Sequence, residues 1–340
     1  INLKSKKLGG EQNLYSNKND YYHMAVKTIF TDEKLKKIVS DYNIGEFIKS
    51  KPFKAGYVQT NILIVTKKGK YVLRYYENRS KESVSFESDL LRFLSEHDYP
   101  CAMPIQDNKA NVIKIHNKKP FIIFSYLEGR HLKNINDKQM YQMVKQLALL
   151  HKITKGHKPI NSKYREPRTK KFCLEAAKTE AKRFKDIEKG KKRLNRIKTK
   201  LNELMLPEKL PNGVIHGDFD KANIKFKKDK LTGILDFDDS TYTFLIYDLG
   251  VVLLYWTRFY VKKFDFNKAK KIIKIYEKYR PLSKLEKNHI FDAFQLHTLM
   301  IMSWLMYDKW KGKDLFRILS GILDELDSIG RDEFYKKLFG

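Results

Sequence analysis

Apolar positions along the chain change period several times, and each change predicts an element. Between Asp32 and Lys49, "DEKLKKIVSDYNIGEFIK" has helical spacing, opened by Thr31 or Asp32 and closing near Gly45. Strand character follows. "FKAGYVQTNILIVTK" (53–67) turns at Lys68-Gly69, and "KYVLRYYE" (70–77) returns as its hairpin partner with alternating faces. In "SVSFESDLLRFLSEHDY" (83–99), Phe86, Leu90, Leu91 and Leu94 recur at helical spacing until Pro100 stops the run. A second hairpin, "NVIKIHNKKPFIIFSYLEG" (111–129), has a fully apolar second strand ending at Glu128-Gly129.

After "EGRHL" the period becomes mostly helical, beginning with "DKQMYQMVKQLALLHKI" (137–153). One β interruption breaks it at 213–238. The run 178–204 predicts a charged amphipathic helix pair broken at Gly190, with a solvated face. "FLIYDLGVVLLYW" (244–256) and "LHTLMIMSWLMY" (296–307) are too short to span a bilayer and predict buried helices. The fold class expected is therefore α+β and bilobal, with a small antiparallel-sheet lobe at 24–128 and a larger, mostly helical lobe at 129–340. Residues 1–23 are polar and lack a helical period, and are expected to be an extension outside the fold.

Composition changes this picture little. A 340-residue chain with 42% hydrophobic residues has enough apolar material for two substructures with cores. Its net charge of +29 would attract polyanions, but the lysines are spread along the whole chain and no nucleic-acid-binding motif accompanies them. Solvated basic faces are expected, with no specific nucleic acid and no membrane. Cys101 and Cys173, the only cysteines, sit in no C-x-x-C or Cys/His cluster. That argues against a disulfide scaffold or structural zinc and suits a reducing, cytoplasmic setting.

Candidate chemistry lies in "GVIHGDFDKANIKF" (213–226) and the following "GILDFDD" (233–239). Two apolar β-runs flank a turn, so Asp218 and Asn223 leave one strand end and Asp236 the other; all three can converge on one edge. The order His-x-Asp-x-x-x-x-Asn, then Asp-Phe, has the spacing of a kinase catalytic loop and metal-binding Asp. There a carboxylate accepts the attacking hydroxyl's proton, while an amide oxygen and a second carboxylate hold magnesium.

With these residues the chain resembles the aminoglycoside phosphotransferase and choline kinase superfamily, kinase-like enzymes that phosphorylate small molecules. The stretch from "AGYVQTNILIV" through "YPCAMPI" is similar to the small lobe of the type II homoserine kinase branch. "FIIFSYLEGRHL" resembles its hinge and "QLALLHKI" its helix ending in Leu-His.

The resemblance implies ATP and Mg2+ as cofactors and a small-molecule hydroxyl as acceptor. It implies Asp218 as catalytic base, Asn223 and Asp236 as metal ligands, and His216 as a prop of the loop. Arg74 takes the position of the phosphate-holding lysine, with Glu87 as its partner. Gly56 to Asn61 would form the loop over the phosphates. Phe124 to Leu127, with Ser125 and Leu127 among them, would line the adenine slot through backbone groups. His151 is expected to be a packed helix-end residue and Asp248 a brace of the catalytic loop.

Glycine follows His216 where protein kinases have arginine, so switching by loop phosphorylation is not expected. Acceptor identity stays open. An amino-alcohol or sugar hydroxyl on a molecule that also carries an anionic group, as the carboxylate of homoserine does, suits the basic field best. Trp256, Tyr260, Trp304, Tyr307 and Trp310 could form an aromatic box for a quaternary amine such as choline, with choline/ethanolamine kinases as an alternative, but at helical spacing beside Leu and Met they are more often core. Asp239, Asp292 and Asp308 keep an aminoglycoside possible. A catalytically silent kinase-fold binding protein is the alternative of another class, and the intact triad argues against it.

Overall fold

The computed structural model describes residues 27–53, 58–259, 261–306, 309–310 and 313–340. The expected extension at 1–23 and Gly56 of the phosphate loop lie outside the described residues. So do Tyr260, Tyr307, Asp308 and the Trp310 side chain.

Helix α1 (Asp32–Val39) starts at Thr31, whose hydroxyl accepts the Lys34 N–H. It is half the expected length. The chain leaves it through Gly45 at φ +88° and enters a strand, β1 (Phe47–Pro52), which the helical period had absorbed. There follow β2 (Thr60–Thr66), β3 (Gly69–Tyr75), α2 (Lys81–Glu96), β4 (Lys114–His116) and β5 (Lys119–Ser125). The five strands form an antiparallel sheet in the order β1-β2-β3-β5-β4. Two hairpins were expected, and β1 adds the fifth strand at one edge.

Both faces of this sheet are covered. One carries Ile62, Ile64, Leu73, Phe121 and Ile123, packed with Leu35 and Val39 of α1. Ile122 and Phe124 pack with Phe86, Leu90 and Leu94 of α2 on the other. Burial on both faces is why "FIIF" in β5 does not alternate with polar residues.

The rest of the chain is mostly helical: α3 (Asp137–Thr154), α4 (Lys170–Ala181), α5 (Ile187–Glu203), α6 (Tyr247–Leu254), α7 (Phe266–Tyr279), α8 (Lys284–Lys287), α9 (Ile290–Trp304), α10 (Leu315–Ile329) and α11 (Arg331–Phe339). Four short strands interrupt it: β6 (Asn212–Ile215), β7 (Ile224–Lys227), β8 (Lys230–Ile234) and β9 (Thr241–Phe244). Strands β7 and β8 make a hairpin, while β6 pairs with β9.

Gly190 does not break the helix pair. It lies in the first turn of α5, and a Cβ there would stand 2.8 Å from the Ala181 carbonyl oxygen of α4. The break falls at 182–186, and glycine lets the second helix close on the first. The two apolar runs are buried helices as expected, α6 against α9.

At the α6–α9 crossing a Gly250 Cβ would meet the Ala293 carbonyl oxygen at 2.4 Å, a backbone atom with no room to move. Gly250→Ala is expected to destabilise the fold by about 2–3 kcal/mol. The readout is a lower urea midpoint at unchanged denaturant slope. Among the described residues no helix is long and apolar enough to cross a membrane.

Candidate active site

The turn after β6 is held from behind by one buried carboxylate. Asp248, in the first turn of α6, accepts the His216 N–H at 2.7 Å and the Gly217 N–H at 2.9 Å. His151 Nε2 donates to Asp248 at 3.0 Å, and its Nδ1 lies 2.7 Å from the Tyr276 hydroxyl. Burial alone would raise the Asp248 carboxyl, but the hydrogen bonds from His151 and Gly217 hold it below its ordinary value. His216 is fully buried. Its Nδ1 accepts the Asp218 N–H at 3.3 Å, and its Nε2 donates to the Leu235 carbonyl at 2.9 Å. One imidazole thus ties the strand end before Asp218 to the strand end before Asp236. His151 is a full member of this network, more than the packed helix-end residue expected.

Asp218 follows β6, Asn223 precedes β7 and Asp236 follows β8. Asn223 Nδ2 donates to the Asp218 carbonyl and to Asp218 Oδ2, both at 2.9 Å. The amide is therefore oriented, and Oδ1 is the atom it presents for a cation. Asp236 adopts φ +66°, a left-handed conformation that aspartate tolerates better than most residues. Burial, then the charges of Asp239 and Asp236, push the Asp218 carboxyl up to about 7. Trp256 Nε1 donates to Asp220 at 3.0 Å, fixing the far side of the loop.

Arg74 reaches this edge from β3. Its Nη2 lies 3.0 Å from Asp236 Oδ1, its Nη1 3.2 Å from Glu87 Oε1, and its Nε donates to Asn61 Oδ1 at 3.0 Å. Asn61 sits opposite Arg74 in the β2–β3 register, so it steadies the guanidinium from a strand and is not part of a loop. Glu87, on the buried face of α2, is 1% exposed, and burial raises its carboxyl against the opposing pull of Arg74 and Arg165.

Three arginines that pattern reading passed over complete the network. Arg165 is buried between α2 and the Asp236 turn. Its Nε and Nη2 donate to the Ser83 carbonyl at 3.0 and 2.7 Å, Nη2 lies 3.3 Å from Glu87, and Nη1 donates to the Asp238 carbonyl. Arg79 Nε pairs with Asp238 Oδ1 at 3.0 Å, and Arg168 Nη2 with Asp239 Oδ1 at 3.2 Å. Burial would raise Asp238, yet Arg79 and Arg165 hold it well below the ordinary carboxylate range. Gln59, buried beside β2, donates to Asp238 Oδ2 at 3.0 Å. A signal existed in the sequence: only 13 of the 69 basic residues are arginine. In a lysine-rich chain, arginines such as those of "YREPRT" mark places where a planar fork is needed.

Other expectations fall differently. The Ser125 N–H donates to Met103 O at 2.8 Å and the Leu127 carbonyl accepts Lys225 Nζ at 3.0 Å. Those two backbone groups are therefore engaged within the protein. Asp292 is no cleft acid: it is buried and doubly paired with Arg331 at 2.6 and 2.7 Å. Trp256 is committed to Asp220, and the Trp304 ring is covered by Arg168, 4.7 Å from its centroid. No aromatic box forms among the described residues. They also contain no group of three His, Cys, Asp or Glu side chains arranged for a metal. Asn223 and Asp236 offer two oxygen donors, suited to a hard cation whose shell is completed by phosphate oxygens.

With this geometry in place, comparison is informative. The phosphotransferase enzyme family matches residues 49–282. A homoserine kinase of Rhodospirillum rubrum is 31% identical over 266 residues, covering 77% of this chain and 81% of that protein. One from Caulobacter sp. strain K31 is 32% identical, covering 78% and 83%. Among solved structures, an amicoumacin kinase in complex with AMP-PNP and Ca2+ superposes with a TM-score of 0.67 at 19% identity, covering 91% of this chain and 94% of its own. The fold is kinase-like and α+β.

Proposed function

The chain belongs to the phosphotransferase enzyme family and is a small-molecule kinase that transfers phosphate to a hydroxyl; on that premise we propose that its acceptor is homoserine or a closely related amino alcohol, with ATP and Mg2+ as donor and cofactor. Support for the acceptor comes from the homoserine kinases it resembles over more than three quarters of its length. Support for the cofactors comes from the oxygen donors at Asn223 and Asp236 and from the basic reach of Arg74.

In this reading residues 24–128 clamp the nucleotide, and 129–340 carry the catalytic loop and acceptor site. Asp218 orients the acceptor hydroxyl and takes its proton as the oxygen bonds to the γ-phosphorus and the bond to the ADP oxygen breaks. Asn223 and Asp236 hold the cation, which when bound supplies charge neutralisation across the phosphates. Arg74, steadied by Asn61 and Glu87, holds phosphate oxygens through its fork. His216 and Asp248 keep the loop in register. Phe124 to Leu127 line the adenine slot.

One observation carries the reading: Arg74 of the sheet touches Asp236 at the tip of β8 while Asn223 touches Asp218, so the proposed phosphate, cation and proton groups share one edge. The test is a phosphate-acceptor panel of homoserine, choline, ethanolamine, aminoglycosides, hexoses and methylthioribose. Homoserine is expected to give the highest kcat/KM. A preference for choline or an aminoglycoside would replace the acceptor, and ATP turnover on no member would remove the reading.

A further inference from the structure

The turn that carries the proposed base is built around Asp220. Its N–H donates to the Asp218 carbonyl at 2.9 Å, and its own carbonyl accepts the Asn223 N–H at 2.9 Å. The Asn223 side-chain amide closes the ring on the same Asp218 carbonyl, also at 2.9 Å. Whatever displaces Asp220 therefore displaces Asp218 and Asn223 relative to each other.

Asp220 stands at the N-cap position of the short 3-10 turn Lys221–Asn223. An aspartate there ordinarily folds its carboxylate back onto the N–H groups of its own turn. This one makes no such bond. Its Oδ1 instead accepts from Trp256 Nε1 at 3.0 Å, across 36 positions of sequence. The carboxylate serves as a long-range tether in place of a local cap.

Trp256 comes from the helix that already braces the near side of the turn. Asp248, in the first turn of α6, accepts the N–H groups of His216 and Gly217. At its other end α6 passes into a π turn, Tyr255–Phe259, and Trp256 sits on it. The extra residue in such a turn shifts the phase of the side chains, and π turns are frequent at functional sites. One helix thus grips the catalytic turn before Asp218 with a carboxylate and after it with an indole.

We propose that Trp256 is a positioning residue for phosphoryl transfer, holding the Asp218 carboxylate and the Asn223 amide in register through its hydrogen bond to Asp220. The indole N–H can only donate, so it neither takes the acceptor's proton nor holds a cation; it acts through Asp220. This inference rests on the kinase reading above and adds a residue to its machinery. Arg74 and Asp236 are steadied separately, by Glu87, Asn61 and each other. The loss expected without the tether is therefore in the chemical step and not in nucleotide affinity.

The experiment compares Trp256→Phe, Asp220→Ala, Asp220→Asn and the double variant Trp256→Phe/Asp220→Ala. It uses the full chain with ATP, Mg2+ and the acceptor ranked first in the panel above, with rates taken per nucleotide-binding site. Trp256 lines a pocket of about 360 Å3 with Ile135 and Met140, so the ring is not enclosed on every side and phenylalanine is expected to be tolerated. Trp256→Phe and Asp220→Ala are each expected to lower kcat about twentyfold, with KM for ATP and for the acceptor within about twofold. The double variant should be no more than about twofold slower than either single. Asp220→Asn, which keeps an oxygen for the indole, should lose only about threefold. In protein labelled with 15N-tryptophan, the indole signal that Trp256→Phe deletes should shift in Asp220→Ala and return towards its wild-type position in Asp220→Asn.

An unchanged kcat in Trp256→Phe, losses that multiply in the double variant, or an indole signal that ignores Asp220→Ala would each overturn the proposal. So would a fall in kcat matched by an equal rise in KM for ATP, which is the mark of general damage. Should Trp256→Phe not fold, the contrast between Asp220→Ala and Asp220→Asn decides in its place, and equal losses in those two overturn the tether. No turnover by the wild type on any acceptor would remove the kinase reading itself. Wild-type turnover that none of these substitutions slows would remove this inference alone.

Discussion

Asp218→Asn is expected to lower kcat by about a thousandfold while changing the KM for ATP only a few-fold. The substitution removes the proposed proton acceptor and keeps an oxygen able to accept from Asn223, whose amide bonds Asp218 at 2.9 Å. The same carboxyl makes the reaction pH-dependent. Its value is pushed up to about 7 by burial and by Asp239 and Asp236, so the wild-type rate should climb as pH rises through that region and flatten above it. Asparagine should abolish that limb.

Stability moves the opposite way. A carboxyl raised in the folded state favours folding when protonated, an advantage complete below its ordinary value near 4 and lost as pH rises through about 7. At pH 8 the ionised carboxylate therefore costs the fold stability that Asp218→Asn regains. The full shift corresponds to about 4 kcal/mol, and because the side chain is only partly buried about 1–2 kcal/mol is the discounted expectation. Thermal melting at pH 5 and pH 8 without nucleotide measures it, with the variant gaining only at the higher pH. Turnover near the wild-type level in Asp218→Asn would end the base assignment.

What the sequence disclosed follows from which forces act locally. The spacing of His216, Asp218, Asn223 and Asp236 was legible because each sits at the end of a short apolar strand, and strand ends are visible in hydrophobic pattern. Strand β1 was not: "FIKSKP" has a single buried residue, Phe47, so its place in the sheet comes from pairing with β2 and not from its own period. Glu87 illustrates a milder limit. Its partnership with Arg74 was anticipated, but its complete burial depends on Arg165, ninety-odd positions from Arg74 and visible only when α2 and the Asp238 turn are brought together.

The helix pair teaches the same point from sterics. Gly190 signals close approach as readily as a break, and only the position of the Ala181 carbonyl decides between them. The aromatic residues are a related case, with Tyr260, Tyr307 and the Trp310 side chain outside the described residues. A tryptophan at helical spacing says nothing about what covers it, and for Trp304 it is the protein's own Arg168.

Asp236→Ala should separate two events that the contacts of Arg74 hold together. Arg74 now bridges Glu87 at 3.2 Å and Asp236 at 3.0 Å. On the proposed roles, loading the site makes both partners exchange: Asp236 gives up the guanidinium for the cation, and Arg74 gives up the carboxylate for phosphate. Removing the carboxylate deletes the cation's strongest ligand and releases Arg74 at the same time. Affinity for ATP with Mg2+ is therefore expected to fall about a hundredfold, and kcat by about a thousandfold, because phosphate charge is no longer neutralised where it is transferred.

Affinity for ATP in EDTA is expected to hold or rise slightly, since Arg74 no longer has to leave a partner. Fluorescence titration of a labelled ATP with Mg2+ and with EDTA reads both quantities on one sample. The crossing of the two effects distinguishes this account from simple damage, which would weaken both. If Asp236→Ala kept tight, Mg2+-dependent binding, the cation would have to be held elsewhere, and the pairing of Asn223 with Asp236 as its ligands would fall.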